Sequence, residues 1–559
     1  QNLTKGLVFS NWRVVPKAIA MLCSYEAERR MVSVYTQQKN VPYSDLTRAR
    51  RPLLRFNRQD DRLTGMYAFT LLYPCLTLAQ QVDPLSLGMQ LASGAHLPSY
   101  EQLHEAIRKK IESLLELTQA GSSRRPSTPD RRWYWAAPVL LDRFFNRQPL
   151  ARWLDEEDEA WAWEAMVPSR SDREDTHFSE HVAELRRAVR DPASLELGAY
   201  PDDLTYILAK VAMASPAVTV LRALCRHWPG IERQSKWRIL SAAALAAMGF
   251  RSLFNLPESI ISIRQPDDPD EAEQGGSGDT VIYWQHVLDY AIDGNLQAVV
   301  DEYVHILHES LGLGIGNRDP GESARELASE IQDAISLRTI SLTFHEIALQ
   351  GQKIQQENYR MRCRYALPFG RGRNYDDGAV TRRDQVRIAF NSPFRPFVLA
   401  ATSAGQEGLD FHQYCHAVYH WNLPSNPVDL EQREGRVNRF KGHAIRKNLA
   451  EKFGLSALAG DTIDDPWTRL FDMAEHSENG LIPYWIYEEG RSRIERHIPA
   501  LPLSREWEQL DHLKKALVLY RMVFGQPRQE DLLGLLQSSL SDDISTEDIL
   551  QCQIDLTPP

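Results

Sequence analysis

Apolar positions recur with two different periods along this chain, and the change of period sets its organisation. Gly6–Ser10 is a short apolar run of strand type. From Val14 to about Met31 the pattern turns helical, with Ile19, Leu22, Cys23 and Ala27 on one face. Two further runs, Phe397–Ala401 and Ala417–Leu423, read as strands; the first leads into Thr402-Ser403-Ala404-Gly405 and the second into Pro424. A helical pattern then follows from about Val428 to Phe440. Continuous apolar strands alternating with helices predict an α/β layer built on a parallel sheet.

Between residues 31 and 370 helical periodicity dominates. Leu103, Ile107, Ile111, Leu114 and Leu115 mark one helix, Val287, Leu288, Ala291 and Ile292 another, and Leu327, Ile331, Ala334 and Ile335 a third. Gly121–Asp130 and Gln265–Gly278 interrupt this pattern with turn-rich, polar sequence and read as surface loops. After about Gly460 the chain turns helical again, most clearly over Trp507–Phe524 and Glu530–Ser538. The expected organisation is one α/β domain formed by residues 1–30 and 371–460, a mostly helical insertion over 31–370, and a helical region over 461–559.

Composition narrows the possibilities. Of 559 residues, 25% are charged and 43% belong to the apolar set, the balance of a globular protein and not of a disordered or fibrous one. Lys plus Arg is 64 against 75 for Asp plus Glu, a net charge of −11, so a polyanion contact must come from a local patch. Six dispersed cysteines without a CxxC pair argue against a zinc ribbon or a disulfide framework and suit a reducing cytosol. No apolar run approaches the eighteen or so residues of a membrane span. The cytoplasm is therefore the expected compartment, and no membrane partner is expected.

The chemistry concentrates in Ala401–Asn448, ATSAGQEGLDFHQYCHAVYHWNLPSNPVDLEQREGRVNRFKGHAIRKN. A strand there ends in small residues and glycines, where backbone amides can approach a phosphate or sugar. Asp410 follows Gly408 by two residues. A second strand leads to a helix expected to present Gln432, Arg433, Arg436 and Arg439, the last two on one face. Two guanidinium groups brought together call for an anion between them, and a nucleotide γ-phosphate suits their planar, multidentate donors.

These residues resemble the second motor domain of superfamily 2 helicases and translocases. TSAGQEGLD is similar to motif V, QREGRVNR to motif VI, and LVFSNW at Leu7–Trp12 to motif IV; TRRDQVRIAF at Thr381–Phe390 resembles the helix before the motif V strand. The wording is closest to the Swi/Snf-type, RapA-like branch. The resemblance implies a RecA-like domain and an ATP-dependent, nucleic-acid-stimulated motor that uses ATP with Mg2+. It implies Arg439 as the arginine finger, Arg436 beside it on the phosphates, and Gln432 positioning the attacking water or γ-phosphate. Gly408 and Asp410 would contact the nucleotide ribose, and Thr402, Ser403, Ser10 and Asn11 the nucleic-acid backbone, DNA being favoured over RNA.

The chain departs from the family in one respect: it holds neither a GxxxxGK[ST] loop nor a DExx strand ahead of motif IV. The first motor domain, expected to hold most of the Mg2+, is therefore looked for elsewhere in a longer polypeptide or in another chain. The alternative is an inactive helicase-like scaffold that binds a partner protein through its insertion. Large inserted helicases in bacterial anti-phage systems suggest a defence role by analogy. Asp301-Glu302 in DEYVH is a superficial DEAH look-alike and reads as helix surface. No metal site is assigned to His412, His416, His420 and Cys415, where buried or hydrogen-bonded histidines are expected, nor to His305, His308 and Glu309, whose HxxHE order on the insertion helix is not the HExxH zinc order.

Overall fold

A computed structural model describes residues 3–36, 52–59, 62–92, 96–119, 128–155, 177–229, 235–264, 283–315, 318–337, 340–350, 353–369, 383–402, 408–458, 464–475, 480–499 and 504–522. The chain divides into two compact units. Gln1–Ala27, Leu337–Gly454 and Leu470–Pro559 form a sheet unit; Glu28–Ser336 and Leu455–Arg469 form a helical unit. The strands among the described residues are β1 (Lys5–Ser10), β2 (Asn57–Gln59), β3 (Arg62–Thr64), β4 (Ile340–Gln350), β5 (Lys353–Cys363), β6 (Ala366–Phe369), β7 (Val398–Thr402), β8 (Cys415–His420) and β9 (Glu495–His497).

Five of these strands make a parallel sheet in the order β6-β7-β1-β8-β9. The first strand in sequence is thus the central one. β1 is buried at every position, as a parallel strand covered on both faces must be. Its register with β7 runs from Gly6 opposite Val398 to Ser10 opposite Thr402, and its register with β8 reaches Phe9 opposite His420. Leu7, Phe9, Leu399, Ala401 and Val418 supply the core, closed by Phe390, Phe411 and Val437. Lys5 is buried at the start of β1, where its ammonium donates to the carbonyls of Ala389 (3.2 Å) and Phe394 and lies over the Phe390 ring. Burial lowers its pKa well below the ordinary lysine value.

The sheet unit departs from expectation in two places. It resumes at Leu337 and not near 370, because β4, β5 and β6 belong to it. The alternation of ISLTFHEI is of strand type, although it falls within the stretch expected to be helical. The C-terminal region, expected to be helical, contributes a parallel edge strand, β9, as well as the helix Glu506–Met522. Three polar residues, Glu495-Arg496-His497, carry no apolar run that would announce a strand. The stretch 530–538 lies outside the described residues.

The helical unit contains the expected periodic segments as Tyr100–Gln119, Tyr283–Asp293 and Pro320–Ile335. The alanine-rich helix Lys236–Phe254 approaches Pro320–Ile335 so closely that a Cβ on Gly249 would meet Gln332 Cα at 3.1 Å. Asp301, expected on a helix surface, is buried and salt-bridged to Arg226, which also pairs with Asp83 at 3.1 Å. A carboxylate needs such a partner to leave water. Of the two expected loops, 121–127 and 265–278 lie outside the described residues. Among those described, no single helix is long and apolar enough to cross a membrane.

Candidate nucleotide and nucleic-acid site

The site lies wholly in the sheet unit and collects around the carboxyl ends of β1, β7 and β8, where open α/β sheets bind ligands. Register alone brings Ser10, ending β1, beside Thr402, ending β7. Ser10 is buried, its hydroxyl donating to Asn422 Oδ1 at 2.8 Å and accepting from Trp12 N at 3.1 Å. Its polar capacity is spent inside the protein. Asn11 is exposed and Thr402 half-buried. Ser403 lies outside the described residues.

After β8 the chain turns through Leu423–Asn426 and enters the helix Pro427–Glu434. Asn426 caps it by accepting from Val428 N at 2.8 Å, and Pro427 occupies its first position. This helix stops at Glu434 and does not run to Phe440 as expected. From Gly435 onward the chain is a turn, in which Arg436 N bonds Arg433 O and Val437 N bonds Glu434 O. Such i→i−3 bonds tighten the backbone beyond a helix end. Arg436 and Arg439 are therefore presented by this turn and not by a common helix face. Exposed Gln432 remains on the helix.

The turn is tied to the segment leaving the TSAGQEGLD loop. Phe411 N donates to Arg436 O at 2.8 Å, and His443 N donates to His412 O at 3.0 Å. Asn391 Nδ2 donates to Asp410 O at 2.9 Å. Within this frame Arg439 Nε donates to Asp410 Oδ1 at 2.9 Å, and Arg436 Nη1 reaches Leu409 O at 3.5 Å. Arg439 thus has an anionic partner, which the sequence did not reveal; Asp410, expected on a ribose, lies against the guanidinium. Both side chains are about a third or more exposed, so the pair is worth at most about 1 kcal/mol and opens readily. Gly408, two residues before Asp410, is exposed with φ of +81°, and space for a Cβ is open there. What the position requires is the left-handed backbone, which glycine adopts without strain.

Two residues that motif reasoning left without a role hold the site in shape. Arg433 is buried, stacks over Phe9 at 5.4 Å, and donates to Asn422 O and to Asn11 Oδ1, each at 2.9 Å. It thereby links the ends of β1 and β8. Arg433→Ala leaves two acceptors without their charged donor, and we expect a loss of about 2 kcal/mol in denaturant unfolding of the sheet unit. Glu434 accepts from His420 Nε2 at 3.3 Å and from Arg496 Nη2 at 2.7 Å. Burial alone would raise its carboxyl, but these bonds hold it at about 2.

The histidines are internal groups. His416 and His443 meet through their Nδ1 atoms at 3.0 Å, and both are buried. Burial lowers His412 and His416 to about 4, and His443 falls well below the ordinary value. Among the described residues no group of three His, Cys, Asp or Glu is arranged to hold a metal.

Comparison with known proteins finds similarity over part of the sheet unit. Residues 376–441, from before the helix Arg383–Phe390 to the end of the arginine turn, match the helicase conserved C-terminal domain. A protein of Bacillus subtilis (strain 168) described as the uncharacterized ATP-dependent helicase YqhH is 39% identical over 59 residues. That match spans 11% of this chain and only 10% of the relative's length. No solved structure matches the chain.

Proposed function

We propose that this chain carries the second motor domain of an ATP-dependent superfamily 2 helicase or nucleic-acid translocase of the Swi/Snf-type, RapA-like branch. The observation that carries the proposal is the coupling of the Gly408–Asp410 segment to the Arg436–Arg439 turn within a helicase C-terminal domain. The donor set fits phosphate better than metal: two partly exposed guanidinium groups beside a left-handed glycine. Arg439 exchanges the Asp410 carboxylate for the γ-phosphate, one anion for another, at a cost small enough for binding to meet. Arg436 adds a second cation to the phosphates, and Gln432 orients the attacking water. Mg2+, held chiefly by a first motor domain, neutralises phosphate charge when bound.

Thr402, Ser403 and Asn11 contact the nucleic-acid backbone without reading sequence, so binding falls steeply with salt. Ser10 positions Asn422 and the Trp12 backbone and makes no direct contact of its own. The helical unit serves substrate or partner selection. The second reading, an inactive scaffold, draws support from the Asp410 partner that Arg439 already has. A nucleic-acid-stimulated ATPase assay of the complete protein, with a first motor domain present, separates the two. We expect stimulation by nucleic acid; turnover that is absent with and without it favours the scaffold.

A further inference from the structure

The antiparallel pair β4–β5 is longer than the sheet strands and pairs residue by residue from Ile340 opposite Cys363 to Gln350 opposite Lys353. Eleven residues per strand extend about 37 Å. Ile340, Leu342, Met361 and Cys363 anchor one end in protein interior. Beyond that anchor, one alternation set faces solvent: Thr343, His345 and Ile347 on β4, and Ile354, Asn358 and Arg360 on β5 are all exposed. Arg362, also exposed, continues the set toward the anchor, and Gln356 lies between Ile354 and Asn358. No acidic residue belongs to the described part of this face. Cations therefore stand near the anchored end, amide and imidazole groups in the middle, and Ile347 and Ile354, 69% and 72% exposed, toward the far end. His345 Nδ1 donates to Asn358 Oδ1 at 2.5 Å across the strands, which fixes the middle of the face.

We propose that this ribbon is a duplex-DNA contact that lays its solvent face in the major groove, a reading that rests on the motor assignment above. A two-stranded ribbon fits the roughly 12 Å major groove of B-form DNA, and the roughly 6 Å minor groove excludes it. The deep, narrow major groove of A-form RNA excludes it as well. The absence of acidic groups on the face and the cations Arg360 and Arg362 near its anchor match the phosphates along the groove edge. The amide and imidazole groups meet base edges, and the isoleucines make apolar contact with thymine methyl groups.

The test is fluorescence anisotropy of the full chain with three probes of one sequence: a DNA duplex of about two helical turns, the corresponding RNA duplex and single-stranded DNA. Arg360→Ala weakens duplex DNA binding about tenfold and lowers the salt slope by about one, and Arg360→Glu weakens it further. The paired change Ile347→Ser with Ile354→Ser weakens duplex DNA binding several-fold with the salt slope unchanged. RNA-duplex and single-strand affinities stay at the wild-type value in every variant. Thermal melting matches wild type, since all three side chains are exposed. Wild-type DNA affinity and salt slope in Arg360→Glu overturn the ribbon proposal and leave the motor reading standing, as does an equal loss on all three probes. Absence of duplex-DNA binding by the wild-type chain overturns the ribbon proposal, while the motor reading stands or falls on the ATPase assay of the complete protein.

Discussion

Arg439→Ala in the complete protein is expected to lower kcat for nucleic-acid-stimulated ATP hydrolysis by about a thousandfold or more, with nucleic-acid affinity nearly unchanged. The size follows from what the guanidinium does. In the proposed role it meets charge that develops only as the γ-phosphoryl group transfers, so its loss is expected in kcat and not in ground-state binding. The Asp410 pair makes the prediction sharper. Because that pair is partly exposed and weak, removing it costs little folding stability, and melting of Arg439→Ala should match wild type within about 1 kcal/mol. Arg439→Lys keeps the charge but loses the planar fork and should recover little of the rate. Arg436→Ala is expected to lower kcat comparably and to weaken nucleotide binding too. Normal turnover in both alanine variants removes the arginine turn from the chemistry.

The second large effect concerns acid. His412, His416 and His443 stay neutral in the folded sheet unit because burial, reinforced by nearby Arg446 and Lys447, disfavours their charged forms. On unfolding they regain the ordinary value near 6.5 and take up protons that the folded state refuses. Lowered histidine values therefore leave stability intact above about pH 6.5 and remove it as pH falls toward about 4. With at least two such protons involved, the loss is roughly 2–3 kcal/mol per pH unit across that window. Glu434, held at about 2, adds its own loss from about pH 4.5 downward. Hydrogen exchange of the β1, β7 and β8 amides, followed from pH 7 to pH 5, reads this directly. Protection that is constant over the range contradicts the neutral, buried assignment. His416→Asn should flatten the profile while preserving a polar partner for His443.

What could be read from the sequence follows from what burial demands. Central parallel strands are covered on both faces, so LVFS, VLAAT and the AVYHWNL stretch stand out as apolar runs, the last two with serine and glycine or proline just beyond. The arginine and glycine positions were legible because their spacing carries a chemical requirement. Pairings across long separations were not. Nothing in the sequence places Arg433 on Asn11, 422 residues away, or Arg226 on Asp301, 75 away. The early end of the helix at Glu434 is not legible either, since QREGRVNRF keeps a helical pattern and only Gly435 hints at the break. The polar strand β9 lacks the apolar signal on which strand recognition depends, and the strand-type alternation of β4 is set in a long helical stretch.

The central position of β1 has a consequence for synthesis. Both of its neighbours come roughly 400 residues later in the sequence, with Val398 and Ala417 opposite Gly6. At about 5–20 residues per second, a ribosome that has made β1 needs roughly 20–80 s to deliver β7. During that interval an apolar strand waits with both edges unpaired, while residues 28–336 of the helical unit are made in full before β7 and can begin to pack. The parallel sheet is thus expected to assemble late, and its yield in the cell to depend on how well that waiting strand is shielded from other chains.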